Sequence, residues 1–258
     1  MEIEIKSAEQ FDSLLNSLSD EIVSAEVYFK LREDLLSSVV EYRDVFIQSN
    51  TFWSLISKAF LIATLSYMCR AYDQHSKSLS LINLLETVRV NLSIFKIVNF
   101  RERLRDSPFV ESFSSEAREP NIEVLDRDIS LVKENDPLVN KLIIWRNNII
   151  AHKTAPNIVD EVDVTLNYPL SLDETRKLLT RATSILNKYS SLFRASSYST
   201  QILGHDDYLY ILRTLNDSFQ KHEEEMKPLI EKTRQSDRRR CWISKRLAKL
   251  KDVRRRNA

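Results

Sequence analysis

Apolar residues recur every three or four positions along most of this chain, which is the period of a helix. The densest stretch lies near the middle. Projected at about 100° per residue, Leu138, Leu142, Trp145 and Ile149 fall on one line, with Val139, Ile143 and Ile150 on a second line beside it. Pro137 suits a first turn, where its missing N–H has no helical partner to lose. The spacing predicts a helix from Pro137 to His152 with a broad apolar face to bury. Arg146 falls in the middle of that face. A guanidinium keeps its charge, so an anion must meet it there: a carboxylate of the chain or a phosphate of a ligand.

The same period predicts the flanking elements. Phe11, Leu14, Leu15 and Leu18, then Val27, Leu31, Leu35 and Val39, give a helix over 7–48, divided near Ser19-Asp20-Glu21. Asn50 or Thr51 caps a second, running to about Gln74. Its apolar residues, from Phe52 to Leu65, cover nearly the whole circumference, which predicts a position at the centre of a bundle. Its last turn becomes polar, with Arg70, Asp73 and His75; Arg70 and Asp73 are within reach of a local ion pair. A third helix opens at Ser78 or Ser80 and carries Leu81, Leu84, Leu85 and Val88. Residues 101–136 are polar and read as a long connection with a short helix near 124–135. Residues 157–166 alternate in part, as an extended arm or a short hairpin would.

Ser171-Leu172-Asp173-Glu174 is a capping box, opening a core helix with Leu178, Leu179, Ala182, Ile185, Leu186, Tyr189 and Phe193. Gly204 marks a break, and 206–234 form a last helix, kinked at Pro228. The expectation is an all-α protein: a helical bundle over 1–200 and a C-terminal helical extension over 201–258.

Composition narrows the chemistry. Gly204 is the single glycine, which excludes a Gly-rich phosphate loop and a dinucleotide fingerprint. No Gly-x-Ser-x-Gly elbow exists. Four dispersed histidines and two remote cysteines, Cys69 and Cys241, do not make a zinc site, so no metal and no cofactor is expected. The cysteine usage fits a reducing compartment, and the N-terminus is no signal peptide. The longest apolar run, Ala59 to Met68, is too short to span a bilayer. A cytoplasmic protein without membrane partners is expected.

The net charge of +1 hides a split. Residues 237–258 hold ten Lys or Arg against two Asp, while the rest holds 28 basic and 35 acidic residues. Within this segment, Arg238, Arg239, Arg240, Trp242, Lys245 and Arg246 combine basic groups with an aromatic. Such a set can hold RNA phosphates and stack a base, or it can dock on a bundle of helices.

The run Arg146-Asn147-Asn148-Ile149-Ile150-Ala151-His152 resembles the motif of the HEPN superfamily: an arginine, a polar residue, a short spacer and a histidine at the end of an apolar helix. Five residues separate Arg146 from His152, within the four to six of that family. Leu65 to Asp73, followed by Ser78 to Leu85, is similar to the abortive-infection, AbiU-like branch. The resemblance covers roughly residues 10–195. It implies a HEPN-like bundle that pairs as a two-fold dimer and a metal-independent endoribonuclease, active in antiviral defence or as a toxin with an antitoxin or defence-system partner. Arg146, Asn147 and His152 would then form the site, with Asp73 and Arg70 in support.

The chemistry fits those residue types. RNA carries its own nucleophile, the 2′-hydroxyl. His152, with an ordinary pKa of about 6.5, can move protons at neutral pH. Arg146 can hold two phosphate oxygens with parallel donors. Geometry sets a condition. Six positions put Arg146 and His152 about 120° apart around a regular helix and about 9 Å along it. They converge only if the helix unwinds or two subunits share the site. A non-catalytic binding or regulatory module, with Arg146 paired to a carboxylate, is the alternative.

Overall fold

The computed structural model describes residues 2–115, 118–151, 155, 159, 163–201, 204–229 and 232. The chain forms two compact units, 1–36 with 54–205, and 37–53 with the segment from 206 onward. Among the described residues the regular structure is all helical.

The first unit is a helical bundle. Helix α1 (Ala8–Ser37) enters its core through Phe11, Leu15, Leu18, Ile22, Ala25 and Phe29, spaced alternately four and three apart. This is one stripe of a single helix, and no break occurs at Ser19–Glu21. Ser19 is buried within the helix, its hydroxyl donating to the Asn16 carbonyl, while the apolar stripe on either side continues unbroken. The expected division comes later: α2 (Arg43–Gln48) follows a turn and belongs to the second unit. Val27 and Leu31 lie beside the core stripe, only partly buried.

Helix α3 (Asn50–Ala71) departs from the central position its composition predicts. Thr64, Leu65, Met68, Cys69 and Ala71 are buried, but Leu55 is 61% exposed, and Phe52 and Ile62 are about half exposed. Only the C-terminal third of this helix is covered. Among the described residues it is the one helix long and apolar enough to cross a membrane by length and composition. The Ala59–Met68 run is therefore part of a longer apolar helix than its own extent suggests.

Helix α4 (Leu81–Val90) is the most deeply buried, with seven of its ten residues inside. A 3-10 turn (Leu92–Phe95), α5 (Ile97–Arg103) and α6 (Val110–Phe113) lead to α7 (Ile122–Val132), which packs on α4. The long polar connection thus holds the end of α5 and two further helices, with α7 close to the short helix expected there. Helix α8 (Pro137–Trp145) starts at Pro137, with the Asp136 carboxylate accepting from the N–H groups of Leu138 and Val139. Residues 163–168 include a single helical turn, α9 (Val164–Asn167), capped by Asp163, where the C-terminal part of the expected arm or hairpin would lie; 157, 158 and 160–162 lie outside the described residues. Helix α10 (Leu172–Arg194) opens with the complete capping box of Ser171 and Glu174. Phe11, Phe95 and Phe193 meet edge to face at the centre of the core.

In the second unit, Trp53 donates its indole N–H to the Val45 carbonyl and packs on Phe46. Gly204 adopts φ 78°, in the left-handed region, and begins the turn into a helix over 207–229.

Candidate active site

The site sits where the loop after α3 meets the end of α8. Three side chains shape that loop. Gln74 donates to the Tyr72 and Val132 carbonyls and accepts from the Glu134 N–H, tying the loop to the α7–α8 connection. Asn83, buried at the start of α4, donates to the carbonyls of His75 and Ser78. Tyr72, fully buried, donates its hydroxyl to the Leu178 carbonyl of α10 at 2.7 Å.

Asp73 is thereby held at a fixed place. Its Oδ1 accepts from the His75 N–H and its Oδ2 from the Ser78 hydroxyl at 2.7 Å. Arg146 reaches Oδ1 through Nη1 at 3.0 Å. Burial pushes the Asp73 carboxyl up. The Ser78 hydroxyl, the backbone N–H groups and the Arg146 charge outweigh it, so the group lies below its ordinary value and stays ionised. Cys69, one turn back on α3, is buried; burial pushes its thiol up to about 12 despite the nearby Arg146 charge. It is a neutral wall of the site and no nucleophile.

Helix α8 does not continue as an α-helix through the motif. Arg146–Ile150 form a π turn, closed by the Ala151 N–H donating to the Arg146 carbonyl at 2.9 Å. One residue more per turn breaks the 3.6-residue phase at Arg146. Such insertions concentrate at functional positions. The apolar lines read from sequence end here: Val139 and Leu142 are buried, whereas Ile149 is exposed. Trp145 donates its indole N–H to the Tyr168 carbonyl, pinning the end of α8. Lys141 pairs with Glu174 at 2.6 Å, tying α8 to the start of α10.

Arg146 is consequently less buried than its place on the wheel predicts. Its side chain is 36% exposed. Among the described residues, Asp73 is its side-chain partner, through one of five donors. Asn147 points to solvent, while Asn148 donates to the Ile144 carbonyl. Arg70 does not pair with Asp73. It bonds Glu21 on α1 at 2.6 Å and stacks over Tyr67, because Asp73 has turned into the loop. Arg70 is thus part of the α1–α3 contact.

With Arg146 on a widened turn, braced by the loop that follows α3, the arrangement can be set beside known proteins. The HEPN family model for AbiU2 matches residues 8–214. This chain belongs to the HEPN AbiU2 family. The match takes in the whole helical bundle and makes the chain an abortive-infection-related HEPN protein with an all-α fold. No curated protein and no solved structure matches it.

In this HEPN protein the structure brings Arg146 to Asp73 and separates Arg70 from both. His152 lies outside the described residues, as do Arg238, Arg239, Arg240, Trp242, Lys245 and Arg246. Gln74, Ser78 and Asn83 are site-shaping residues that sequence reasoning missed. Their only signal was polarity at the ends of two apolar helices, which any loop shares.

Proposed function

We propose that this HEPN protein is a metal-independent endoribonuclease acting in abortive infection or as the toxin of a toxin–antitoxin pair. The observation that carries the reading is Arg146. A charge-fixed guanidinium on a π turn is braced by Asp73 through one nitrogen and keeps more than a third of its side-chain surface open. A phosphodiester is a suitable guest, since parallel N–H donors match two phosphate oxygens.

In this reading the substrate's 2′-hydroxyl attacks the adjacent phosphorus and the bond to the 5′-oxygen breaks. One proton leaves the 2′-oxygen and one reaches the departing 5′-oxygen. His152 carries the proton work, Arg146 stabilises the charge on the phosphorane, and Asn147 orients either partner by hydrogen bonding. Two chains pair about a two-fold axis and share one cleft, so that two Arg146–His152 sets face each other.

The test uses the full chain, RNA and a chelator. Cleavage persists in the chelator and falls by about 10²–10³ in Arg146→Ala, the loss typical of one charge-stabilising donor. His152→Ala falls likewise. Undiminished cleavage by both variants would refute the assignment.

The Asp73–Arg146 pair also favours a second reading, a binding or regulatory module in which that pair is a structural brace. Under it the wild-type chain cleaves no RNA, and both variants change stability alone.

A further inference from the structure

The second unit is thinly covered. On the helix over 207–229, Leu212 is the one residue fully buried, and residues 220–229 are all exposed. Ile47 of α2 is 58% exposed, and Ile211 and Leu229 are more than half exposed. Between α2 and this helix runs a groove of about 760 Å³. Ile47, Phe219 and Met226 supply its apolar surface, and Asp44 and Glu223 its carboxylates. An apolar groove of this size, edged by acid, calls for a cover that is apolar and basic at once.

We propose that the groove receives the chain's own segment 238–251. The chemistry matches on both counts. In helical projection Ile243, Leu247 and Leu250 share a face, while Arg246 and Lys249 share another with Trp242. Reach is sufficient. Nine positions separate Leu229 from Arg238 and span up to about 30 Å when extended. The way back along the helix from Leu229 to Phe219 is about 15 Å. Tethering this close gives an effective concentration in the millimolar range, which favours the same chain over a second copy. Acidic walls repel phosphate, so the groove itself selects against RNA. The segment's cations are neutralised there by carboxylates.

Trypsin tests the docking on the full chain, since the segment is rich in its cleavage sites. Cleavage within 238–251 is slow in the wild type and speeds up about tenfold in Asp44→Lys/Glu223→Lys, because proteolysis follows the undocked population. Adding Arg239→Glu/Arg246→Glu restores the slow rate at the remaining Lys249 and Lys251 bonds by reversing both sides of the contact. A second measurement avoids charge reversal. Ser218→Cys places a thiol on the groove, Cys241 lies in the segment, and Cys69 is buried. A short bis-maleimide then links residues 218 and 241 within one chain at low protein concentration. Three outcomes overturn the proposal. One is cleavage that ignores the groove charges. Another is protection that arises only with added RNA. The third is a cross-link that forms only between chains.

Discussion

The two ends of the 172–194 helix show two different uses of arginine. At its C-terminal end, Arg118 is 5% exposed and lies over the Phe100 ring. It donates to the Phe113 carbonyl through Nε and Nη2 and to the Ser191 carbonyl through Nη1 at 3.0 Å. Arg103 covers the Phe193 ring and donates to the carbonyls of Phe193 and Ile94. Burial pulls its guanidinium below the ordinary value, with Asp12 and Glu9 opposing. Both cations sit where the helix dipole is negative; the Ser191 carbonyl that Arg118 meets also accepts from the Ala195 N–H. Toward the other end, Arg146 has one carboxylate, a widened turn and open surface. An arginine saturated by backbone acceptors holds a fold together. One that is braced on a single side can still take an anion.

Substitutions at each end break or sharpen this contrast. The largest expected effect is the 10²–10³-fold fall in RNA cleavage for Arg146→Ala, with stability changed by less than about 1 kcal/mol because the pair is partly exposed. A large stability loss in chemical denaturation would erase the distinction between the two arginines. Next comes Arg118→Ala, which leaves the Phe113 and Ser191 carbonyls without this donor and costs about 3 kcal/mol in the same measurement. Cleavage per folded molecule is unchanged there.

Asp73→Asn loosens the brace and removes no phosphate donor. Cleavage falls roughly tenfold, from misplacement of Arg146. Charge-swapped Asp73→Arg/Arg146→Asp does not recover it, because in the proposed reaction the phosphate meets a cation at 146.

The smallest effect is on pH dependence. The Asp73 carboxyl lies below its ordinary 3.8 in the folded chain. Its contribution to stability is therefore complete above the unfolded value and lost as pH falls through the lower, folded one. Acid titration of unfolding should show this loss below about pH 4 in the wild type and less of it in Asp73→Asn. Identical acid limbs would mean that Asp73 is not held as described.

Much of the bundle was legible from local rules. Phe11, Leu15 and Leu18, the capping box at Ser171 and Glu174, Pro137 at a first turn and Gly204 at a break each act through neighbours within a few residues. Such signals survive any tertiary context. The exposed face of α3 was not legible, since apolar composition states that a face prefers cover and says nothing of which neighbour supplies it. The short helix α9 was missed for a different, local reason: Asp163 accepting from the Thr165 and Leu166 N–H groups outweighs a weak alternation.

At the candidate site the division is sharper. The order of residues by itself determined that a permanent cation would stand at position 146 on an apolar helix, and that the core of the bundle would be built of helices. Periodicity and charge are properties of the covalent chain. The choice of Asp73 over Arg70 as the group that matters, the π turn that moves Arg146 toward solvent, and the loop that Gln74 and Asn83 hold were decided only in three dimensions. Asp73 and Arg146 are 73 positions apart, and only packing of α3, α4, α7 and α8 brings them to 3.0 Å.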